Sequence, residues 1–325
     1  MTVNTITGAA STFNSPNYTG LLFQISPLDT PFFSAIGAFS EPLPTTSTAF
    51  QWQTEGIESS SANNAKLEGA PAPAATEVGR LPQSNVVEIH HESFEVTYTK
   101  QAAVGQLSGL NTADGSNPVQ DEVMHQSQLK LLKIAKDLNK SFLNGVYANP
   151  NVATSPRQTC GIFNAVLTNV FANGGTKRAI TKAIVDGALA NIYQNGPLSP
   201  ASTMFVVNPA QKIALTNLYG QMPLNHAPLS RNVGGLDIQT LVTDFGDFGI
   251  LIDRDAPTDR IGIVDLAVCA PRFLSRPGHP LVTAEPLAKT GSSDKYQIYC
   301  EAGLQYGPET YHGVIGDLLN PLTGA

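Results

Sequence analysis

Charge is what this 325-residue chain has least of: Asp, Glu, Lys and Arg make up 14% of it, where a typical soluble domain carries about 25%. A neutral surface that does not face lipid is explained by burial against other proteins, because charge is depleted at interface cores. An oligomer is therefore expected. The charge that is present leans acidic, a net −7, which excludes a protein built to grip a phosphate backbone, since that requires a basic surface. Cysteine is scarce too. Cys160, Cys269 and Cys300 stand far apart without a CxxC pair, so neither a structural zinc site nor a disulfide framework is expected. No apolar run reaches membrane length, and the start, MTVNTITGAASTFNSPNYTG, lacks the basic and apolar regions of a signal peptide, so the reading is cytosolic with no membrane partner. Glycine (28) and proline (23) are by contrast abundant, and 42% hydrophobic content is enough for two lobes with many turns.

Catalytic motifs are missing as well. No GxSxG elbow occurs, and Gly174-Gly175 and Gly234-Gly235 lack the spacing and the Lys-Ser/Thr of a phosphate loop. Asp244-Phe245-Gly246 and Asp247-Phe248-Gly249 resemble the metal-binding triplet of kinases but have no Gly-rich loop or strand lysine to work with, so they read as a turn. His125, His226, His279 and His312 are isolated, the usual state of a structural histidine. The densest group of potential ligands is Glu88-Ile89-His90-His91-Glu92. On a strand, Glu88, His90 and Glu92 would share a face, and without HExxH spacing that face reads as a solvated one. No catalytic residue, metal or cofactor is expected. A cytosolic α/β enzyme is the alternative from another class, and the sequence offers it no site.

The elements that are present run in a definite order. The first forty-odd residues carry few charges and read as an extended stretch, a frayed terminus or an arm packed on a neighbouring subunit, followed by Asp29-Thr30-Pro31-Phe32-Phe33-Ser34-Ala35-Ile36-Gly37, a short helix with Asp29 or Thr30 as cap, Pro31 in its first turn and Phe32, Phe33 and Ile36 on its buried side. Thr48 to Thr54 alternates as a half-buried strand does, and residues 85–99 are β-rich. The two strands could pair. Between them lies a stretch of Ser, Ala, Asn, Pro and Gly whose large apolar residues are Leu67, Val78 and Leu81, too few for a core and too long for an ordinary connection. Asn117 and Pro118 then open a helix to about residue 145, with Leu131, Ile134, Ala135, Leu138, Phe142 and Val146 on one face and Lys130, Lys133, Lys136 and Lys140 on another. Residues 180–194 and 209–219 read as helices, 203–207 as a buried strand, and 236–243, 249–253, 260–268, 296–304 and 309–318 as strands. The last strand is expected to return to the lobe holding the long helix.

This order, carried by the DTPFFSAIG series, the Phe50-Gln51-Trp52-Gln53-Thr54 strand, Glu68-Gly69 in the loop, the helix from Pro118 and Thr159-Cys160-Gly161-Ile162, resembles the major capsid proteins of tailed bacteriophages. Encapsulin compartments and herpesvirus capsid floors use the same fold. The resemblance implies an α+β chain with an N-terminal arm (1–45), an extended hairpin-like loop (46–100), a peripheral lobe with a long spine helix (101–175, helix about 118–145), an axial α/β lobe (176–290) and return strands of the peripheral lobe (291–325). It implies a structural subunit that self-assembles as hexamers and pentamers into an icosahedral shell around double-stranded DNA. Such a shell would be built in the host bacterial cytoplasm, become part of the virion, and meet scaffolding, portal and decoration proteins without binding DNA tightly. An encapsulin-like compartment shell is the alternative within the fold. Phe32, Phe33, Trp52, Lys66, Glu68 and Arg80 are the candidate inter-subunit contacts. Some relatives cross-link through a loop lysine; Lys66 is the sole loop candidate here, and with no matching Asn or Glu a cross-link is not expected. A separate scaffolding protein, or a cleaved upstream segment, would replace the charged helical leader that some relatives carry.

Overall fold

The computed structural model describes residues 25–56, 58, 60, 64–75, 77–102, 121–150, 154–219, 231–233, 236–289 and 291–324. Most of the expected arm and the expected helix start at Asn117-Pro118 lie outside these residues. In chain order the elements are α1 (Pro31–Ala35), β1 (Leu43–Thr45), β2 (Ala49–Glu55), β3 (Arg80–Val86), β4 (Glu88–Thr97), α2 (Tyr98–Ala102), α3 (Glu122–Asn144), α4 (Ile162–Ala165) and β5 (Val170–Phe171). They continue as α5 (Lys182–Asn195), β6 (Thr203–Val207), α6 (Pro209–Tyr219), β7 (Arg231–Val233), β8 (Leu236–Thr243), β9 (Gly246–Ile252), β10 (Ile261–Asp265), β11 (Ala270–Leu274), β12 (Val282–Pro286), β13 (Ser293–Gln305) and β14 (Gly313–Ile315).

The chain divides into two compact units, one taking in Glu92–Lys133, Ala284–Ile298 and the chain up to Asp29, the other Thr30–His91, Ile134–Thr283 and Tyr299–Ala325. In the smaller unit, charge is paired along polar strand faces. Glu92 receives Lys130 at 2.8 Å and Lys133, and these hydrogen bonds hold its carboxyl below the usual carboxylate range against the opposing effect of burial. Phe94 stacks on Tyr296 with ring centroids 5.3 Å apart, and Lys289 and Gln101 both reach Asp294, at 2.9 and 3.1 Å.

The larger unit is built on a seven-stranded sheet in the order β5-β14-β10-β6-β9-β8-β7. β6 and β10 are buried at every residue, which is why Thr203–Val207 reads as a continuous apolar run and not an alternating one. Val185, Leu189 and Ile192 of α5 and Leu215 of α6 join Phe205 and Phe248 in one core. β8 and β9 form a hairpin whose turn is Asp244-Phe245, the first of the two triplets read as a turn. In a second ladder of this unit β1 pairs with β11 and β11 with the C-terminal half of β13, and β2 and β3 make a separate two-stranded ladder.

Three expectations are corrected by this topology. β14 does not return beside the long helix; it sits between β5 and β10, as a strand buried at all three residues must. β11 and β12, expected in the axial range, pair with β13 instead. The strand paired with β2 is β3, from Arg80 to Val86, and the β-rich run after it is β4 on β13. On α3, Ile134, Leu138 and Phe142 are buried as the spacing predicts, together with Leu143 and Asn139, whereas Leu131, and Val146 past the helix end, are exposed. Thr30 occupies the cap position of α1 without making a side-chain cap bond, its hydroxyl lying 3.3 Å from that of Ser34.

Candidate functional site

The element with no core of its own is the β2–β3 hairpin. Seven pairs zip it from Ala49↔Val86 to Glu55↔Arg80, with residues 56–79 beyond the last pair. Its base is held firmly. Trp52 donates from Nε1 to the Gly307 carbonyl at 2.8 Å, sets its ring edge-on to Tyr306 at 4.9 Å and stacks on Phe50 at 6.0 Å. Phe50 lies over Gly303, where an added Cβ would fall 2.5 Å from the Val86 carbonyl oxygen and 2.9 Å from the Phe50 ring. Burial, with the charge of Glu309 nearby, pushes the Tyr306 phenol up to about 12.

A single side chain pins the far side of the hairpin. Asn85, fully buried, accepts from Cys160 N at 2.9 Å and from Val86 N at 2.9 Å, and donates to the carbonyls of Cys160 at 3.1 Å and Leu304 at 2.7 Å. Three residues on, Glu88 accepts Thr159 N at 3.1 Å and meets His90 Nε2 at 2.8 Å, while the Thr159 hydroxyl accepts Leu304 N at 3.1 Å. The Glu88 and His90 side chains are only 10% and 13% exposed, so this face is not the solvated one that the alternation suggested. Among the described residues no group of three or more His, Cys, Asp or Glu residues is placed to hold a metal ion.

Past the Arg80–Glu55 pair, 3.4 Å apart and well exposed on both sides, every described residue up to Gly79 is exposed. Leu67 is 87% exposed, Lys66, Glu68 and Val78 are exposed as well, and Leu81, paired with Thr54 at the start of β3, is 70% exposed. The base is pinned, and the large apolar side chains described beyond it are left unpacked.

The model of the SU10 major capsid protein family matches residues 5–319. The chain belongs to that family. A major capsid protein of Escherichia phage Phieco32 is 31% identical over 121 residues, which cover 37% of this chain and 30% of that protein, so the curated relative matches over less than a third of its own length. Among solved structures, the capsid of cyanophage A-1(L) shares a TM-score of 0.61 at 12% identity, covering 94% of this chain and 97% of its own. The capsid of the native GTA particle gives 0.60 at 13%, covering 96% and 97%, and the holo-SrpI encapsulin complex from Synechococcus elongatus gives 0.57 at 11%, covering 94% and 92%. The fold is therefore the one that tailed-phage capsids and encapsulins have in common, as the resemblance implied.

Within this capsid-protein fold the six candidate contact residues separate. Phe32 and Phe33 are 0% and 1% exposed; Phe33 packs edge-on to Phe39 and Phe142, so both side chains belong to the core of the chain itself. Trp52 is half-buried in the hairpin base. Lys66, Glu68 and Arg80 stand in solvent. Sequence reading missed the parts played by Asn85 and Asn139, both buried polar residues. Their signal was a polar residue within an apolar pattern: Asn85 directly before Val86-Val87, and Asn139 three and four positions before Phe142 and Leu143.

Proposed function

We propose that this chain is the shell-forming subunit of a phage capsid, and that the hairpin tip at residues 56–79 lies on a neighbouring copy. The observation that carries the reading is the contrast within the hairpin: a base fixed by Trp52 and Asn85, and an outer end where Leu67 of the tip and Leu81 at the start of β3 are left in water. Each leucine buried on assembly contributes about 1.5–3 kcal/mol, repeated at every subunit. Lys66, Glu68 and Arg80 supply the polar rim that such a contact needs. In this reading the copies form hexamers and pentamers enclosing double-stranded DNA, inside the host bacterial cytoplasm, with scaffolding, portal and decoration proteins as further partners. The role is structural, without a catalytic step, and a chain with a net charge of −7 suits a container that must not hold its DNA fast. Negative-stain microscopy of the purified, concentrated chain tests it: closed shells are expected, and a persistent monomer overturns it.

The likeness to an encapsulin carries a second reading, a compartment loaded with a cargo enzyme. Particles purified from their natural source distinguish the two, since packaged DNA supports the capsid and a protein cargo supports the compartment.

A further inference from the structure

The sequence contains three Asn-Gly dipeptides, Asn144-Gly145, Asn173-Gly174 and Asn195-Gly196. An Asn followed by Gly is open to attack on its own side chain, because Gly has no Cβ to hinder the approach of its backbone nitrogen to the Asn carboxamide and rotates freely into the required geometry. Folding governs whether this happens. The Gly nitrogen must give up its proton and swing onto the Asn Cγ, so a hydrogen bond from that N–H, or a tether on the side-chain amide, opposes the reaction.

Two of the three sites are locked on both counts. Gly145 N donates to the Ser141 carbonyl at 2.8 Å, and the Asn144 amide donates to the Asp255 carbonyl at 2.6 Å; Gly145 is also enclosed, with an added Cβ falling 2.3 Å from the Thr159 carbonyl oxygen. Gly196 N donates to the Ile192 carbonyl at 2.8 Å, the Asn195 amide donates to Asn169 at 2.8 Å and Asn191 at 3.1 Å, and the Thr310 carbonyl presses on Gly196.

The third is different. Asn173 and Gly174 are exposed, Gly174 has nothing within 4 Å of its Cβ position, and among the described residues its N–H makes no hydrogen bond. The loop is held through the residues on either side: Asn173 N and Gly175 N both donate to the Asp317 carboxylate, at 2.7 and 2.9 Å. Among the described residues the Asn173 side chain makes one tie, from its amide to the Thr176 carbonyl at 2.9 Å.

From this contrast we propose that Asn173 is a spontaneous modification site, converting to aspartate and isoaspartate in the folded protein while Asn144 and Asn195 are preserved. Gly174 N bonds to Asn173 Cγ, the Cγ–Nδ2 bond breaks, and ammonia leaves carrying the proton from Gly174 N. Water then opens the resulting succinimide, at Cγ to give aspartate or at the Asn173 backbone carbonyl to give isoaspartate. Only water is consumed, and one negative charge appears. That charge arises beside Asp317, whose carboxyl is held below the usual range by the two backbone N–H groups it accepts, so like-charge repulsion loosens the link between this loop and the residues after β14.

Peptide mapping by mass spectrometry of the whole folded chain, incubated in mildly alkaline buffer and sampled over time, tests the proposal, with isoaspartate scored by enzymatic methylation. A freed N–H in place of a hydrogen bond worth about 1 kcal/mol predicts that Asn173 converts at least about fivefold faster than either other site. In denaturant the three rates should converge. Equal rates at the three sites in the folded chain, or faster loss at Asn144 or Asn195, would overturn it, as would an intact Asn173 when the same sequence converts as a free peptide. Asn173→Gln should abolish the methylation signal from this loop and leave the thermal midpoint unchanged; a signal that persisted would place the reaction elsewhere.

Discussion

The side-chain amide of Asn139 sits on the carboxylate of Asp253, with Nδ2 3.1 and 3.0 Å from its two oxygens. On its other side Asn139 Oδ1 accepts Phe33 N at 2.9 Å, and Asp253 accepts Phe32 N at 3.2 Å. A buried pair thus fastens α1 to α3 and to the end of β9. Burial pushes the Asp253 carboxyl up, and the bond from Asn139 works against that shift. Asn139→Ala should therefore cost about 2–4 kcal/mol by denaturant midpoint, since it strands a buried N–H and removes a partner from a buried carboxylate. The deficit should be largest at neutral pH, where Asp253 is charged, and shrink as acid protonates it.

His312 supplies the pH dependence. It is 0% exposed, bonds from Nε2 to the Tyr306 carbonyl at 2.6 Å and accepts Asp265 N at Nδ1, 3.2 Å away, so it is held neutral. Burial lowers its pKa from the ordinary 6.5, with Asp265 and Glu309 opposing the shift in part. The unfolded chain takes up a proton near the ordinary value and the folded chain only at lower pH. Stability is thus fully present above the unfolded pKa and is lost as pH falls toward the folded one. Thermal unfolding of the unassembled chain should show a midpoint falling from about pH 6.5 downward, and His312→Gln, which keeps a donor for Tyr306, should flatten that fall.

The end of α3 predicts a steric effect. Gly161 crosses Gly145 so closely that a Cβ on Gly161 would lie 2.5 Å from Gly145 N and 2.6 Å from the Leu143 carbonyl oxygen, both backbone atoms that cannot turn aside. Gly161→Ala should cost about 2–3 kcal/mol through this overpacking. Gly79→Ala, where nothing lies within 4 Å, should leave the midpoint unchanged.

These three effects rest on contacts of different legibility. The apolar spacing of Ile134, Leu138 and Phe142 announces the buried face of α3, and the unbroken apolar run of Thr203–Val207 announces a central strand, because helical and strand periods are local properties. The destination of a strand is not local. Gly313-Val314-Ile315 pairs with Ile261–Ile263, about fifty residues away, and no periodicity encodes which sheet accepts it. Asn85 and Asn139 looked like ordinary polar residues because their partners, Leu304 and Asp253, are more than one hundred residues distant. The hairpin was legible for the opposite reason: a stretch holding Leu67, Val78 and Leu81 as its large apolar residues cannot bury itself, whatever the rest of the chain does.

The contact proposed for the hairpin can be tested by separating folding from assembly. Leu67 and Leu81 are 87% and 70% exposed, so Leu67→Ser with Leu81→Ser removes almost no contact within the chain and should shift its unfolding free energy by about 0.5 kcal/mol or less. With the tip on a neighbouring copy, as proposed, shell formation should suffer much more, because the lost leucine contacts would recur at every such interface and accumulate through a closed shell. Trp52→Ala should behave in the reverse order: it removes the bond to Gly307 and the ring contacts with Tyr306 and Phe50, and should cost the chain itself about 2 kcal/mol before assembly is considered. Arg80→Glu opposite Glu55 is a third case, since an exposed pair contributes about 0.5 kcal/mol to folding while a reversed rim charge alters the encounter of subunits. Comparing chemical unfolding of the unassembled chain with light scattering during assembly across the three variants would expose the ordering. If the double leucine variant assembled as the parent does, the tip would not be the contact.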